Sequence, residues 1–204
     1  YLFISLFIPC YHRGMDASPV LFEVKNTRDS EEPVSAMEQV FAALGAGRGS
    51  GGLLARLLTD RSKPRFFSFE IVAVNTRIHF FVAVPSGAKS YVESQLTAQY
   101  PKILLTPVGD WALHFLSLPH AAGQLTLTNA FYYPLKTYRD VKDLDILASV
   151  LGQMAKLPMG EAVALQLWIA AAGSSWQRTG AAVVSRGIAD PNSTVGRTRP
   201  HPQA

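Results

Sequence analysis

The sequence is poor in the residues that most often declare a function. It holds a single cysteine, Cys10, among 204 residues, which excludes an internal disulfide framework and a cysteine-built zinc site. Charged residues make up only 17% and apolar ones 48%, so a disordered chain is excluded and a proper core is permitted. No G-x-x-x-x-G-K-[ST] run occurs, and with it goes the backbone cradle that phosphate chemistry of the Walker type requires. No G-x-S-x-G elbow is present either. His79, His114, His120 and His201 are scattered, without the i, i+4 spacing that puts two ligands on one helix face. The expectation is therefore no catalytic residue, no metal and no cofactor. The longest wholly apolar stretches also fall short of the roughly 20 residues that span a bilayer.

What is present begins with the apolar opening, Tyr1 to Ile8. Two structures suit it: the last turns of a membrane helix, or a buried strand. Residues 1–13 are taken as an apolar stub that can end a transmembrane helix, with Tyr11, His12 and Arg13 at the interface. On that reading the chain is a piece of a longer product.

The formal net charge is +4, but Arg178, Arg186, Arg197 and Arg199, against Asp190 alone, account for most of it. A nucleic-acid footprint is a basic stripe on folded structure, and the body of the chain has none. Residues 178–204, rich in Gly, Pro, Ser, Thr and Arg, read as a disordered basic tail.

Between these ends the periodicity is informative. Residues 20–25 alternate as a strand. Pro33 opens a helix, with Ser35-x-x-Glu38 matching a capping box and Val34, Met37, Phe41 and Leu44 on one face. Phe66 to Val74 and Arg77 to Val84 read as two strands joined at Asn75-Thr76. Ser86 starts a second helix whose Ala88, Val92 and Leu96 form a stripe, and Ile103 to Thr106 returns as a strand. This β-α-β-β-α-β order predicts an α+β fold with a ferredoxin-like module over 19–108. Residues 111–177 are expected to form a second, smaller α+β unit, which can be read as half a repeat of the first. It would hold extended segments at 125–128 and 131–135, a helix after Asp143 and a strand at 162–170.

Gly47-Arg-Gly-Ser-Gly-Gly52 fits G-x-G-x-x-G but follows a helix rather than a strand, so it reads as a loop and not a dinucleotide site. Within the module, placing Ile78, Phe80 and Val82 toward the helices leaves His79 and Phe81 on the other face, beside Glu23, Lys25, Ser68 and Glu70. His79, Phe81, Lys25 and Ser68 are the candidate interaction face. Packing against a neighbouring domain is favoured there over base stacking of the RNA-recognition kind, because signature glycines are absent and the two glutamates repel phosphate.

Several stretches in order, Phe67-Ser-Phe-Glu-Ile-Val72, Phe80-Phe-Val-Ala-Val-Pro85, Gln95-Leu-Thr-Ala-Gln-Tyr-Pro101, Tyr133-Pro-Leu-Lys-Thr-Tyr138, Leu157-Pro-Met-Gly-Glu161 and Gln166-Leu-Trp-Ile-Ala170, resemble the N-terminal region of bacterial type IV secretion or conjugation-type (HerA/FtsK-like) ATPases. The resemblance implies a non-catalytic, membrane-proximal assembly domain whose partners are the motor domain or neighbouring subunits, in a ring homo-oligomer. It implies a place at the cytoplasmic face of the inner membrane if the stub is an anchor, otherwise in the cytoplasm. DNA is then met only indirectly. The motor is missing from this chain, so no catalytic or nucleotide-binding residue carries over. The alternative is a stand-alone ferredoxin-like binder of single-stranded nucleic acid.

Overall fold

The computed structural model describes residues 2–6, 19–27, 29–30, 32–46, 66–115, 118–119, 121–133, 135, 137, 140, 145, 147–170 and 175–185. Among these, the strands are β1 (Leu2–Leu6), β2 (Val20–Lys25), β3 (Phe66–Val74), β4 (Arg77–Val84), β5 (Leu104–Val108), β6 (Gly123–Leu125) and β7 (Ala162–Ala170). The helices are α1 (Ala36–Ala46), α2 (Lys89–Gln99), α3 (Ala148–Met154) and α4 (Ser175–Ser185). The chain is α+β, as its periodicity predicts. The glycine loop at 47–52, the basic run at 61–65, Asp143, His120 and the tail from 186 onward lie outside the described residues.

The strands make one sheet in the order β5-β2-β4-β3-β7-β1-β6, with every pairing antiparallel. The hairpin β3–β4 turns on Asn75 and Thr76, whose φ angles are 50° and 64°. Positive φ at both central residues gives the turn the twist that matches its flanking strands. Val74 then faces Arg77 and Phe69 faces Val82, and the turn fixes this register along the whole hairpin.

One face of the sheet is covered by α1 and α2. Phe22, Val40, Phe67, Val82, Val84, Ala88, Val92 and Leu96 form its buried core, with Met37, Leu44, Phe69 and Leu105 packed at the margin. The predicted stripe of α2 is thus the observed one. On α1 the centre of the buried face is Val40 rather than Val34 or Phe41, which are exposed. Val34 precedes the helix, and its carbonyl accepts the Met37 N–H at 3.2 Å. Phe41 lies at the flank and meets Phe69 edge-on, ring centroids 5.3 Å apart.

Three expectations are corrected. First, Leu2–Leu6 is a strand and not the end of a membrane helix: Ile4 faces Leu167 on one side and Leu125 on the other. A short apolar run with a partner strand on each edge meets its backbone groups within the sheet where the strands pair. Among the described residues, no helix is long and apolar enough to cross a membrane. Second, β7 does not belong to a separate half-repeat. It pairs with β3 from Phe66↔Ala170 to Val74↔Ala162, so 146–172 joins residues 1–125 in one compact unit, and 126–145 with 173–204 make the other. Pro158 and Gly160 do break the chain between α3 and β7, Gly160 adopting φ 86°, a backbone conformation that glycine takes without penalty.

Third, residues 178–185 are helical rather than tail. Ser175–Ser185 holds Gln177, Arg178, Ala181 and Ala182, good helix formers whose propensity outweighs the glycine at 180. In the same unit Phe131 and Tyr132 form a turn, not a strand, closed by the Tyr133 N–H donating to the Ala130 carbonyl at 3.0 Å. Three consecutive aromatics meet there, with centroids 5.6 Å and 5.0 Å apart.

Candidate functional site

The face of the sheet turned away from α1 and α2 carries the chemistry. Alternation along paired strands decides its membership: Leu21 and Glu23 from β2, His79, Phe81 and Ala83 from β4, Ser68, Glu70 and Val72 from β3, Ala164 and Gln166 from β7. The register sets Phe81 between Glu23 and Glu70, and Gln166 directly across from Glu70.

This face has two zones. The outer zone is polar and half-open. His79 Nδ1 donates to Glu23 Oε1 at 2.8 Å, and Lys25 Nζ lies 2.9 Å from Glu23 Oε2. The His79 ring stacks on Phe81, centroids 5.9 Å apart and planes 12° from parallel. The hydrogen bond from His79, then that from Lys25, holds the Glu23 carboxyl below its ordinary value of 4.5. Bonding through Nδ1 leaves Nε2 as the second functional nitrogen of the ring.

The inner zone is closed. Leu21, Val72, Phe81, Ala83 and Ala164 cluster there, with Phe66, Val108 and Trp111 packed against them. Trp111 arrives on a short helical turn, Trp111–His114, that Asp110 begins by accepting the Ala112 N–H at 2.9 Å. Its indole Nε1–H donates to Glu70 Oε2 at 2.9 Å, and the Ser68 hydroxyl donates to Glu70 Oε1 at 2.9 Å. Glu70 is only 2% exposed. Burial pushes its carboxyl above 4.5, and the Asp110 carboxylate adds to that, against the bonds from Trp111, Ser68 and Gln166. Gln166 is as deeply buried, yet its Oε1 has no hydrogen-bond partner, and neither has Trp168 Nε1.

Comparison with family models, curated proteins and solved structures finds no match to this chain.

The four predicted interaction residues share one face, but they are not equally available. Lys25 keeps 61% of its side chain in solvent and His79 keeps 30%. Phe81 is 7% exposed and Ser68 is fully buried. These two are corrected from surface residues to core residues: β7 adds a strand beside Ser68, and Trp111 seals the cluster that contains Phe81. A base has no room to stack on Phe81. Sequence reasoning placed Glu70 on this face but missed its closure, because Trp111 and Gln166 come from segments remote in sequence. The signal available was one acid, Glu70, with Ser68 two residues before it, in the mostly apolar strand Phe66–Val74; buried acids are rare without dedicated partners. Among the described residues, no three His, Cys, Asp or Glu side chains converge on a common point.

Proposed function

We propose that this chain is a non-catalytic assembly module working through protein–protein contacts, adjacent to the motor of a type IV secretion-like, DNA-translocating ATPase and repeated around a homo-oligomeric ring. The motor assignment and a place at the cytoplasmic face of the membrane come from the resemblance. Leu2–Leu6 is committed to the sheet, so this reading does not draw on those residues as an anchor. We read β2, β3, β4 and β5, with α1 and α2, as a ferredoxin-like module, supported by their order β5-β2-β4-β3 within the sheet; β7, β1 and β6 extend it.

The observation that carries the contact function is the open end of the second face. Leu104, 59% exposed, sits opposite Lys25 in the register, beside the Glu23–His79 pair. An apolar side chain rimmed by both charge signs is the composition of a modest protein contact. The sheet edges themselves are poorly suited to strand addition. The edge strand β5 contains Pro107, which lacks a donor, and β6 has three residues. Contact through this face, and not through an edge, is the expected mode.

Sedimentation of the full chain over a concentration range tests this. Self-association that Leu104→Asp and Lys25→Glu weaken supports the reading. A monomer at every concentration, unchanged by either variant, removes the ring. A coding region downstream that lacks a Walker A motif in every frame removes the motor assignment separately. The alternative, a single-stranded nucleic-acid binder, retains one supporting contact, the half-exposed His79 ring stacked on Phe81. It requires salt-dependent binding that His79→Ala abolishes.

A further inference from the structure

Glu70 sits where an ionised carboxylate has little to support it. Both its oxygens already accept a neutral donor, from Ser68 and from Trp111. No ionisable residue lies on the facing strand β7 or on β1 beyond it, and β3 has no other. Among the described residues, the remaining charged groups around this face are Asp110, on the segment that carries Trp111, Arg77 and His79 from β4, and Glu23 and Lys25 from β2. His79 and Lys25 are both committed to Glu23, Arg77 stands at the turn end of the hairpin, and Asp110 repels a second anion. Among the described residues, no cation is paired with Glu70.

Directly across the strand pairing, Gln166 hydrogen-bonds Glu70 while its Oε1 lacks a donor. A buried amide oxygen left unmatched costs free energy. A carboxylic acid and a primary amide set side by side remove that cost with two bonds: the amide N–H donates to the acid carbonyl, and the acid O–H donates to the amide oxygen. The single proton that Glu70 lacks as a carboxylate is the donor that Gln166 Oε1 lacks.

We propose that Glu70 is held as a neutral carboxylic acid, paired at two points with the Gln166 amide across the β3–β7 seam, and that loss of its proton as pH climbs loosens this seam. The seam joins the four strands flanked by α1 and α2 to the added strands β7, β1 and β6. It is also the line along which the sheet would part if the chain were to exchange or release its added strands.

Infrared spectra of the full chain decide the point. The carbonyl band of a neutral carboxylic acid, shifting on deuteration, is expected near neutral pH in the wild type and is lost in Glu70→Gln. Glutamine at 70 keeps a two-point pair, amide to amide, so this variant is expected to fold. Its thermal midpoint stays level as pH climbs above 4.5, where that of the wild type falls. Gln166→Met leaves the acid without its amide partner and moves the band to higher frequency. A wild type without the band near neutral pH, a band that survives Glu70→Gln, or a band unmoved by Gln166→Met overturns the proposal. So do melting profiles that run parallel in wild type and Glu70→Gln as pH climbs above 4.5.

Discussion

Replacing Thr76 with glycine is expected to stabilise the protein, although it removes a side chain. Thr76 closes the β3–β4 hairpin at φ 64°, where a Cβ crowds the following carbonyl and costs about 1–2 kcal/mol. Its β-branch makes the position less suited still. Glycine removes that crowding but has more backbone entropy to lose, a penalty of roughly 0.5–1 kcal/mol. The difference favours the variant by about 0.5–1 kcal/mol, or a rise in Tm of roughly 1–4 °C for a chain of this size. Asn75, at φ 50°, supplies the matched control: asparagine tolerates this region, valine does not, and Asn75→Val is expected to lower stability by about 1–2 kcal/mol. Thermal and urea unfolding followed by circular dichroism measure both. A Thr76→Gly variant no more stable than the wild type, with an unchanged urea slope, would refute the reasoning that this turn carries strain.

Further outcomes follow from the two faces of the sheet. Phe22→Ala, at the centre of the helix-covered core, is expected to cost about 3–5 kcal/mol, a large part of an ordinary domain's stability, measurable as a lowered urea midpoint. Trp111→Phe keeps an aromatic ring but deletes the nitrogen-bearing half of the indole and with it the donor to Glu70; it is expected to cost about 1–3 kcal/mol, and a null result in urea unfolding would show that Glu70 finds another donor. The Glu23 carboxyl is held below 4.5 in the folded chain, so its contribution is present above that value and is lost as pH falls through the folded value. His79→Ala is therefore expected to flatten the acid limb of the stability profile, as read by thermal melts across that range. Glu70 has the opposite sign. Its raised value makes stability fall as pH climbs from 4.5 toward the folded value.

The elements that local pattern determines were legible in the sequence. β2, the β3–β4 hairpin and α2 are written in alternation, in a two-residue turn and in the Ala88–Val92–Leu96 stripe, all signals contained within a dozen residues. What joins the sheet to remote strands was not legible. The apolar Leu2–Leu6 fits a membrane helix and a strand equally well until Leu167 and Leu125 appear on its two sides. Val163, Leu165, Leu167 and Ile169 announce β7, but nothing local says that its partner is β3. The candidate face suffered in the same way. Parity along β4 correctly grouped His79 and Phe81, whereas the burial of Phe81 depends on Trp111, thirty residues later in the chain. The helix at 175–185 was obscured by composition, because the Gly, Pro and Arg content beyond it diluted the signal of Ala181 and Ala182.

The position of β1 bears on how the protein is made. Leu2–Leu6 leaves the ribosome well before one of its two partners, β7, which ends at Ala170. At bacterial or eukaryotic synthesis rates the wait is roughly ten to thirty seconds. During that interval a five-residue apolar strand stands with its backbone groups unpaired on the β7 side, the state in which nascent chains pair with one another instead of with themselves. The pairings of β2, β3, β4 and β5 with one another, by contrast, are complete as soon as Val108 is available, and only the β7 side of β3 is left waiting. The last strand to arrive is therefore the one that shelters the first, and premature termination before residue 162 would leave a module able to form most of its core but carrying an adhesive end.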